Sequence, residues 1–173
     1  MAPDGRHGRQ RSWAGLWLPL LLLVWALAGP VPQARASLLH LGGPIPADLG
    51  AGPSGLAPCR TPAHCARASW PVANADQALA SLLPAVLALD GVEVVETSGP
   101  YLHATVTSRL FGFVDDLELF ADAARGQLQA RSQSRLGDSD LGVNARRLER
   151  LHGALLARAN APEAPAAREG EAP

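Results

Sequence analysis

Residues 101–109 alternate strictly between apolar and polar side chains, and this alternation limits the fold more than any other feature of the chain. Successive side chains of a β-strand point to opposite faces of its sheet, so the pattern predicts a strand with one apolar and one polar face. The apolar face would carry Leu102, Ala104 and Val106. The polar face would carry His103, Thr105, Thr107 and Arg109. Such a strand needs partner strands and a second layer that covers its apolar side.

Three nearby segments are expected to pair with this strand. Residues 92–96 are short and rich in β-branched side chains, and they are bounded by Gly91 and by a Ser-Gly-Pro turn. Residues 114–120 and 127–134 follow, with Gly126 in the turn between them. Connections this short join antiparallel strands, so we expect a meander.

Two amphipathic helices are predicted to flank the sheet. Asn74 and Gln77 are spaced as a capping box, and apolar side chains recur at helical spacing from there to Gly91, with Pro84 expected to kink or restart the helix. A second helix is expected to begin near Asp140, with one stripe formed by Leu148, Leu151 and Leu155. The predicted fold is therefore α+β, with an antiparallel sheet of about four strands and two helices packed on one face.

The N-terminus has the order of a secretory signal peptide. Three arginines precede an uncharged apolar run of 16 residues at positions 13–28, and small residues at Ala34 and Ala36 fit signal peptidase. We expect residues 1–36 to be a signal peptide cleaved after Ala36. An uncleaved anchor is the alternative, although spanning a bilayer takes roughly 20 apolar residues. The protein is thus expected to be exported, periplasmic or extracellular, or else N-terminally membrane-anchored.

Composition divides the remaining chain. Residues 37–58 are so rich in Gly and Pro that they are expected to form a tether, and residues 160–173 are Pro-rich and charged, as in a disordered tail. A single α+β domain would occupy residues 59–159. The 15 basic and 16 acidic residues give a formal charge of -1, which argues against a nucleic-acid partner.

The two cysteines, Cys59 and Cys65, enclose five residues. An even pair in an exported chain predicts a disulfide, which for so short a loop would stabilise the fold by about 2 kcal/mol. The alternative makes both cysteines metal ligands together with His64, but adjacent residues seldom reach one ion and no second ligand pair follows. We expect neither a metal nor a cofactor.

The segment RSQSRLGDSDLGVNARR at residues 131–147 fits the pattern RSxSRxGxxDxGxNxxR throughout. The matching positions are Arg131, Ser132, Ser134, Arg135, Gly137, Asp140, Gly142, Asn144 and Arg147. This segment resembles the signature of the family called domain of unknown function 1499, and the acidic group at residues 115–118 and the strand at Tyr101 are similar to that family as well. The resemblance covers roughly residues 59–155. It implies a shared domain and an envelope or organelle-lumen setting, and no reaction.

Strand parity places Arg109, Arg131 and Arg135 on the polar face of the sheet. One interpretation is architectural: the arginines form cross-strand ion pairs with Asp116 and Glu118, each contributing about 0.2–1 kcal/mol. In that case the side chains of Arg131 and Arg135 are already bonded to acids. The other interpretation makes the arginines an open, converging fork for a carboxylate or phosphate, assisted by backbone amides of the following turn.

The candidate site follows from these interpretations. The candidate ligand-binding residues are Arg109, Arg131, Ser132, Ser134, Arg135, Asp140, Asn144 and Arg147. Their candidate acidic partners are Asp115, Asp116 and Glu118. Asp140 would cap the last helix, and Asn144 would reach back into the loop.

The expected function is that of a small binding or accessory module of the cell envelope, with an anionic small molecule or an envelope protein as candidate partner. A membrane partner is expected only if the N-terminal segment stays uncleaved. One alternative is a hydrolase-like enzyme with Ser132 or Ser134 as nucleophile, His103 as base and Asp116 as orienter, although no Gly-x-Ser-x-Gly elbow is present. Another alternative is a structural protein-interaction domain.

Overall fold

A computed structural model of the chain describes residues 41–160. The predicted signal peptide lies outside the described residues, as do the first residues of the predicted tether and the tail beyond Asn160. Between residues 41 and 160, no helix is both long enough and apolar enough to cross a membrane.

Residues 41–160 contain two antiparallel sheets. The smaller sheet is a hairpin of β1 (Ala51–Gly52) and β2 (Gly55–Leu56). The larger sheet contains β3 (Cys65–Pro71), β4 (Val92–Ser98), β5 (Tyr101–Thr107), β6 (Val114–Asp122) and β7 (Gln127–Ser134). Its spatial order is β3-β7-β6-β5-β4, so β4 to β7 form the expected meander.

Strand β3 is a correction to the expected number of about four strands. It pairs with β7, from Cys65 opposite Gln133 to Pro71 opposite Gln127. Its sequence, CARASWP, contains mostly small residues with little strand propensity, and its partner comes much later in the chain. Pro71 is tolerated there because β3 lies at an edge of the sheet. Local patterns therefore gave no strand signal at this position.

Two helices cover one face of the large sheet, which confirms the α+β class. Helix α1 (Ala75–Leu87) begins after Asn74, whose side chain accepts a hydrogen bond of 2.9 Å from the Gln77 amide. Helix α2 (Val143–Ala159) begins slightly later than expected. Buried side chains of both helices and the sheet form one apolar core that includes Leu82, Val86, Leu102, Leu117, Leu128 and Leu151. This helix face of the sheet is the predicted apolar side.

The opposite face, called the polar face below, is also covered. The Gly50 amide donates to Glu118 at 2.7 Å, the Leu56 amide donates to Gln129 at 2.9 Å, and Leu56 is only 3% exposed. Part of the segment expected to be a tether thus packs on the sheet, which corrects that expectation. Beneath it the buried polar side chains include His103, Asp116, Glu118, Asp122, Gln129, Arg131 and Gln133.

The glycines that suggested a flexible tether instead permit a close approach to the sheet. Gly55 has a φ of +91° and lies directly against the side-chain amide of Gln129, where a β-carbon would collide. The backbone of β2 can therefore reach and satisfy a buried side chain. A glycine-rich composition is compatible with both a tether and such a contact, so composition alone could not separate them.

Substitution of Gly55 tests this contact. Gly55→Ala adds a positive-φ penalty and a collision with Gln129, so we expect the free energy of unfolding to fall by about 2–4 kcal/mol. The matched control is Gly99→Ala, because Gly99 also has a positive φ, +53°, but no heavy atom lies within 4 Å of an added methyl group. This control is expected to cost about 1–2 kcal/mol. Urea unfolding measures both, and equal losses would contradict packing of the hairpin on the sheet.

Candidate functional site

Strand β7 divides the family-like segment between the two faces of the sheet. The side chains of Arg131 and Arg135 bond to acids on the polar face. The side chains of Ser132 and Ser134 bond to Asn144 on the helix face. The candidate residues therefore form two separate networks at the same end of the sheet, because side chains alternate along a strand.

Arg131 is the centre of the network on the polar face. Its side chain is 1% exposed, and it donates to Glu118 Oε2 at 3.0 Å and to Asp48 Oδ2 at 2.9 Å. The Tyr101 hydroxyl donates to the other Glu118 oxygen at 2.8 Å. Burial, followed by the negative charge of Glu118, raises the pKa of Tyr101 above its usual value, so the phenol stays a donor. Glu118 and Asp48 together neutralise the buried guanidinium.

Asp116 forms a second cluster on the same face. Arg135 approaches it with two parallel bonds, Nε to Oδ2 at 2.9 Å and Nη2 to Oδ1 at 2.8 Å, and His103 Nε2 lies 2.8 Å from Oδ1. Burial alone would raise the pKa of Asp116, but the hydrogen bonds from Arg135 and His103 outweigh it and hold the pKa below its usual value. Arg131 and Arg135 are thus both bonded to carboxylates, the arrangement expected of an architectural role.

Asn144 connects helix α2 to the helix face of the sheet. Its side-chain oxygen accepts from Ser132 Oγ and from Arg147 Nη1, both at 2.6 Å. Its amide nitrogen donates to Ser134 Oγ at 3.0 Å and to the His64 carbonyl at 3.1 Å. Every hydrogen-bonding position of this fully buried amide is therefore occupied.

Arg147 adds charge pairing to this network. Its Nη1 donates to Ser132 Oγ, and its Nη2 donates to Asp115 Oδ2 at 2.7 Å. Asp115 and Asp116 are adjacent in sequence but point to opposite faces of β6, so each neutralises a different arginine. The two carboxylates do not form a joint acid and base pair.

The predicted disulfide between Cys59 and Cys65 is confirmed, with Cα atoms 5.6 Å apart. The loop that it closes lies against the end of β7, where the Ser134 amide donates to the His64 carbonyl at 2.9 Å. Because both sulfurs are in the disulfide, neither is a thiolate ligand for a metal beside His64. No group of three His, Cys, Asp or Glu side chains within residues 41–160 is arranged to hold a metal ion.

Asp140 fixes the turn between β7 and α2. Gly142 is the N-cap residue of α2, and the Asp140 carboxylate two residues earlier accepts from the Gly142 amide at 2.8 Å and from the Asn144 amide at 2.9 Å, which satisfies amides at the start of the helix. Burial would raise the pKa of Asp140, but these backbone donors outweigh it and lower the pKa below its usual value. The Asp140 amide donates in turn to the Ala63 carbonyl at 3.1 Å, which joins the turn to the disulfide loop.

Two groups of candidate residues are not brought together. Arg109 lies beyond the end of β5, exposed in a turn, and bonds to no acid among residues 41–160. His103 lies on the polar face, while both candidate nucleophiles, Ser132 and Ser134, are bonded to Asn144 on the helix face. The sheet therefore separates the members of the hydrolase-like set.

A cavity of about 470 Å³ opens where the N-terminal segment, the disulfide loop and the end of β7 meet. Its charged or ionisable lining residues are Asp48, Arg60, His64, Arg131 and Arg135, so arginines outnumber acids. Two buried side-chain nitrogens have no hydrogen-bond partner in the described structure, His64 Nδ1 and Arg131 Nε, and both belong to residues that line this cavity. Unpaired buried polar atoms are rare in folded proteins.

Asp48 and Arg60 belong to this site and were missed from the sequence. Asp48 is the one charged residue in residues 41–58, which was an available signal. A lone carboxylate in a Gly/Pro-rich segment has no local partner and therefore suggests a distant cation. Arg60 gave no such signal, because arginine is the sole basic side chain type besides histidine in this chain and occurs 15 times.

Comparison with known proteins identifies the domain. Residues 53–155 match the family described as protein of unknown function (DUF1499). The chain belongs to this family. No curated protein and no solved structure matches the chain. The matched part of the DUF1499 domain begins inside the β1–β2 hairpin, so β2, which packs on the polar face, lies within it, whereas Asp48 lies just before it.

Loss of Asn144 tests the network on the helix face of the DUF1499 domain. Asn144→Ala leaves the Ser134 hydroxyl, the His64 carbonyl and the Ser132 hydroxyl without this buried partner, so we expect the free energy of unfolding to fall by about 2–3 kcal/mol. Asn160→Ala, at the exposed C-terminal end of α2, makes the same chemical change and should cost less than roughly 0.5 kcal/mol. Similar losses for both variants, measured in urea, would contradict the network.

Acid stability tests the carboxylate clusters. The folded protein holds Asp48, Asp116 and Asp140 at lowered pKa values, so the unfolded chain takes up protons first as the pH falls. The free energy of unfolding should be steady above the unfolded pKa, roughly 4, and should decrease below it. Asp140→Asn should be less stable at neutral pH and show a shallower decrease, whereas Asp138→Asn at an exposed neighbour should keep the wild-type slope. An unchanged slope in Asp140→Asn contradicts the assignment.

Proposed function

We propose that the protein is an exported accessory module that binds a small oxyanion, a carboxylate or phosphate group, in the cavity beside the disulfide loop. The observation that carries the proposal is the coincidence of two buried, unpartnered nitrogens with a lining rich in arginine. A guanidinium Nε–H can only donate, so its natural partner is an acceptor. An oxyanion supplies acceptor atoms and negative charge together.

The fixed arginines support binding because they are held in place before any ligand arrives. Arg135 uses Nε and Nη2 to hold Asp116 and leaves Nη1 without a partner among residues 41–160. Arg131 is held by Glu118 and Asp48. Groups that are already ordered lose little entropy when a ligand binds, which favours affinity. The ion pair between Arg135 and Asp116 therefore positions Arg135 Nη1, which can still donate a hydrogen bond to a ligand.

Arg60 supplies the adjustable part of the site. Its side chain is 82% exposed, and its Nε lies 3.7 Å from Asp48, a loose contact that costs little to break. It can turn over the cavity opening and add a second charge to a bound anion. The cavity volume falls within the usual range for small-molecule sites, roughly 300–1,000 Å³.

Export is supported by two independent features. The N-terminal sequence has the order of a signal peptide, and Cys59 and Cys65 form a disulfide, a bond that persists in oxidising compartments. We propose a compartment outside the cytosol on these grounds, and the accessory role from the separation of the candidate nucleophiles and His103 by the sheet.

Thermal unfolding with acetate, citrate, phosphate and sulfate tests the binding proposal. A ligand at 100 times its Kd adds about 2.7 kcal/mol to stability, so at least one of these anions should raise the Tm of the wild-type protein by several degrees. Arg60→Ala and His64→Leu should reduce that rise without lowering the Tm in buffer much, since neither side chain holds the fold together.

The matched control is Arg150→Ala, because Arg150 is an exposed arginine on α2 away from the cavity. It changes net charge as Arg60→Ala does and should keep the wild-type response to the anion. If Arg60→Ala and Arg150→Ala respond alike, the anion acts through general charge and the proposed site is wrong. If no anion raises the wild-type Tm, the oxyanion proposal is wrong as well.

A further inference from the structure

Exposed apolar side chains are concentrated at one end of the large sheet. The turn between β5 and β6, residues 108–113, presents Leu110, Phe111 and Phe113, which are 56%, 48% and 37% exposed. The rings of Phe111 and Phe113 lie 5.9 Å apart. A soluble surface rarely keeps leucine and phenylalanine side chains together in this way unless they meet another apolar surface.

The apolar surface continues onto two neighbouring segments. Leu41 forms a parallel bridge with Phe113, and its amide donates to the Gly112 carbonyl at 3.2 Å. Gly43 lies against Leu136, the first apolar residue after β7. Leu41 and Leu136 are themselves 37% and 38% exposed. We call the set Leu41, Leu110, Phe111, Phe113 and Leu136 the apolar rim.

A positively charged side chain, Arg109, lies next to the apolar rim in sequence. Arg109 is the one charged residue of the turn at 108–113, it is exposed, and it bonds to no acid among residues 41–160. A basic side chain beside exposed leucine and phenylalanine is the combination found where proteins lie in the interface of an anionic bilayer. Arg109 does not line the cavity beside the disulfide loop.

Chain continuity favours a bilayer over a protein partner. Leu41 is part of the rim, and only 12 residues of sequence separate it from the end of the apolar run at residues 13–28. Twelve residues reach at most about 40 Å when fully extended. An uncleaved run of this kind anchors a chain in a membrane. In the form of the protein that keeps residues 1–36, the rim therefore lies within reach of a bilayer.

We infer that, in the chain that keeps residues 1–36, the apolar rim docks against the surface of a lipid bilayer, with Leu110 and Phe111 inserted among the lipids and Arg109 at the headgroups. The docking is independent of the oxyanion cavity, since no rim residue lines that cavity. It differs from simple tethering because the folded domain itself would contact lipid, in a fixed orientation.

A fluorescent label tests the inference in the full chain. Leu110→Cys labelled with nitrobenzoxadiazole reports its surroundings, and the two native cysteines are held in the disulfide. Leu156→Cys is the matched control, because Leu156 is 51% exposed but lies near the C-terminal end of α2, beside Trp70 and Val72 at the opposite end of the sheet. Each labelled protein is mixed with vesicles of phosphatidylcholine and phosphatidylglycerol, with and without brominated acyl chains. The label at position 110 should shift to shorter wavelength and be quenched several-fold more than the label at position 156.

Three other outcomes overturn the inference. Equal quenching at both positions would mean that the domain has no preferred face towards lipid. A wavelength shift at position 110 without quenching by brominated lipid would mean that the rim meets another copy of the chain. Absence of both signals would leave the rim in water. Arg109→Glu in the labelled protein gives a second reading, since it should reduce quenching in anionic vesicles and leave pure phosphatidylcholine vesicles unaffected.

Discussion

Burial of the Arg131 guanidinium is the constraint on which the rest of this fold depends. A cation that is 1% exposed is costly unless opposite charge and hydrogen bonds surround it. Glu118 supplies one counter-charge from the neighbouring strand, which fixes the register of β6 against β7. Asp48 supplies the other from 83 residues earlier in the chain. The N-terminal segment must therefore return to the sheet, and its backbone amides then satisfy Glu118 and Gln129.

On the helix face, too, a buried polar side chain is satisfied by partners from several parts of the chain. Asn144 joins α2 to β7 and to the disulfide loop, and Arg147 joins α2 to Asp115 on β6. The residues that resemble the family signature thus connect four parts of the chain at one end of the sheet. An architectural role and a ligand-binding role were treated above as alternative interpretations of Arg131 and Arg135. Here the ion pairs that hold Arg131 and Arg135 also form a rigid wall of the cavity, so one arrangement can serve both purposes.

The sequence predicted those features that depend on neighbours along the chain. The alternation of residues 101–107 and the cap at Asn74 both specify local geometry, and the structure has both. Strand β3 and the contact of Asp48 depend on partners far away in sequence, and nothing local encodes them. The side chains of the polar face were correctly predicted to be polar. Their burial was not predicted, because it depends on the segment around residues 50–56, whose Gly/Pro-rich composition suggested a tether. The placement of Arg109 on the polar face was wrong because the alternation of strand side chains was extended past Thr107, where β5 ends.

Residues 41–48 are the point at which these features meet. Leu41 belongs to the apolar rim, residues 44–48 form one wall of the cavity, and Asp48 neutralises Arg131. The family match begins at residue 53, so this stretch lies before the matched part of the domain. The matched residues contain the buried cation, yet one of its two carboxylates lies outside the match. A boundary drawn at residue 53 or at Cys59 would therefore remove one of the two carboxylates bonded to Arg131 and one wall of the cavity, which is why the domain includes residues 44–58.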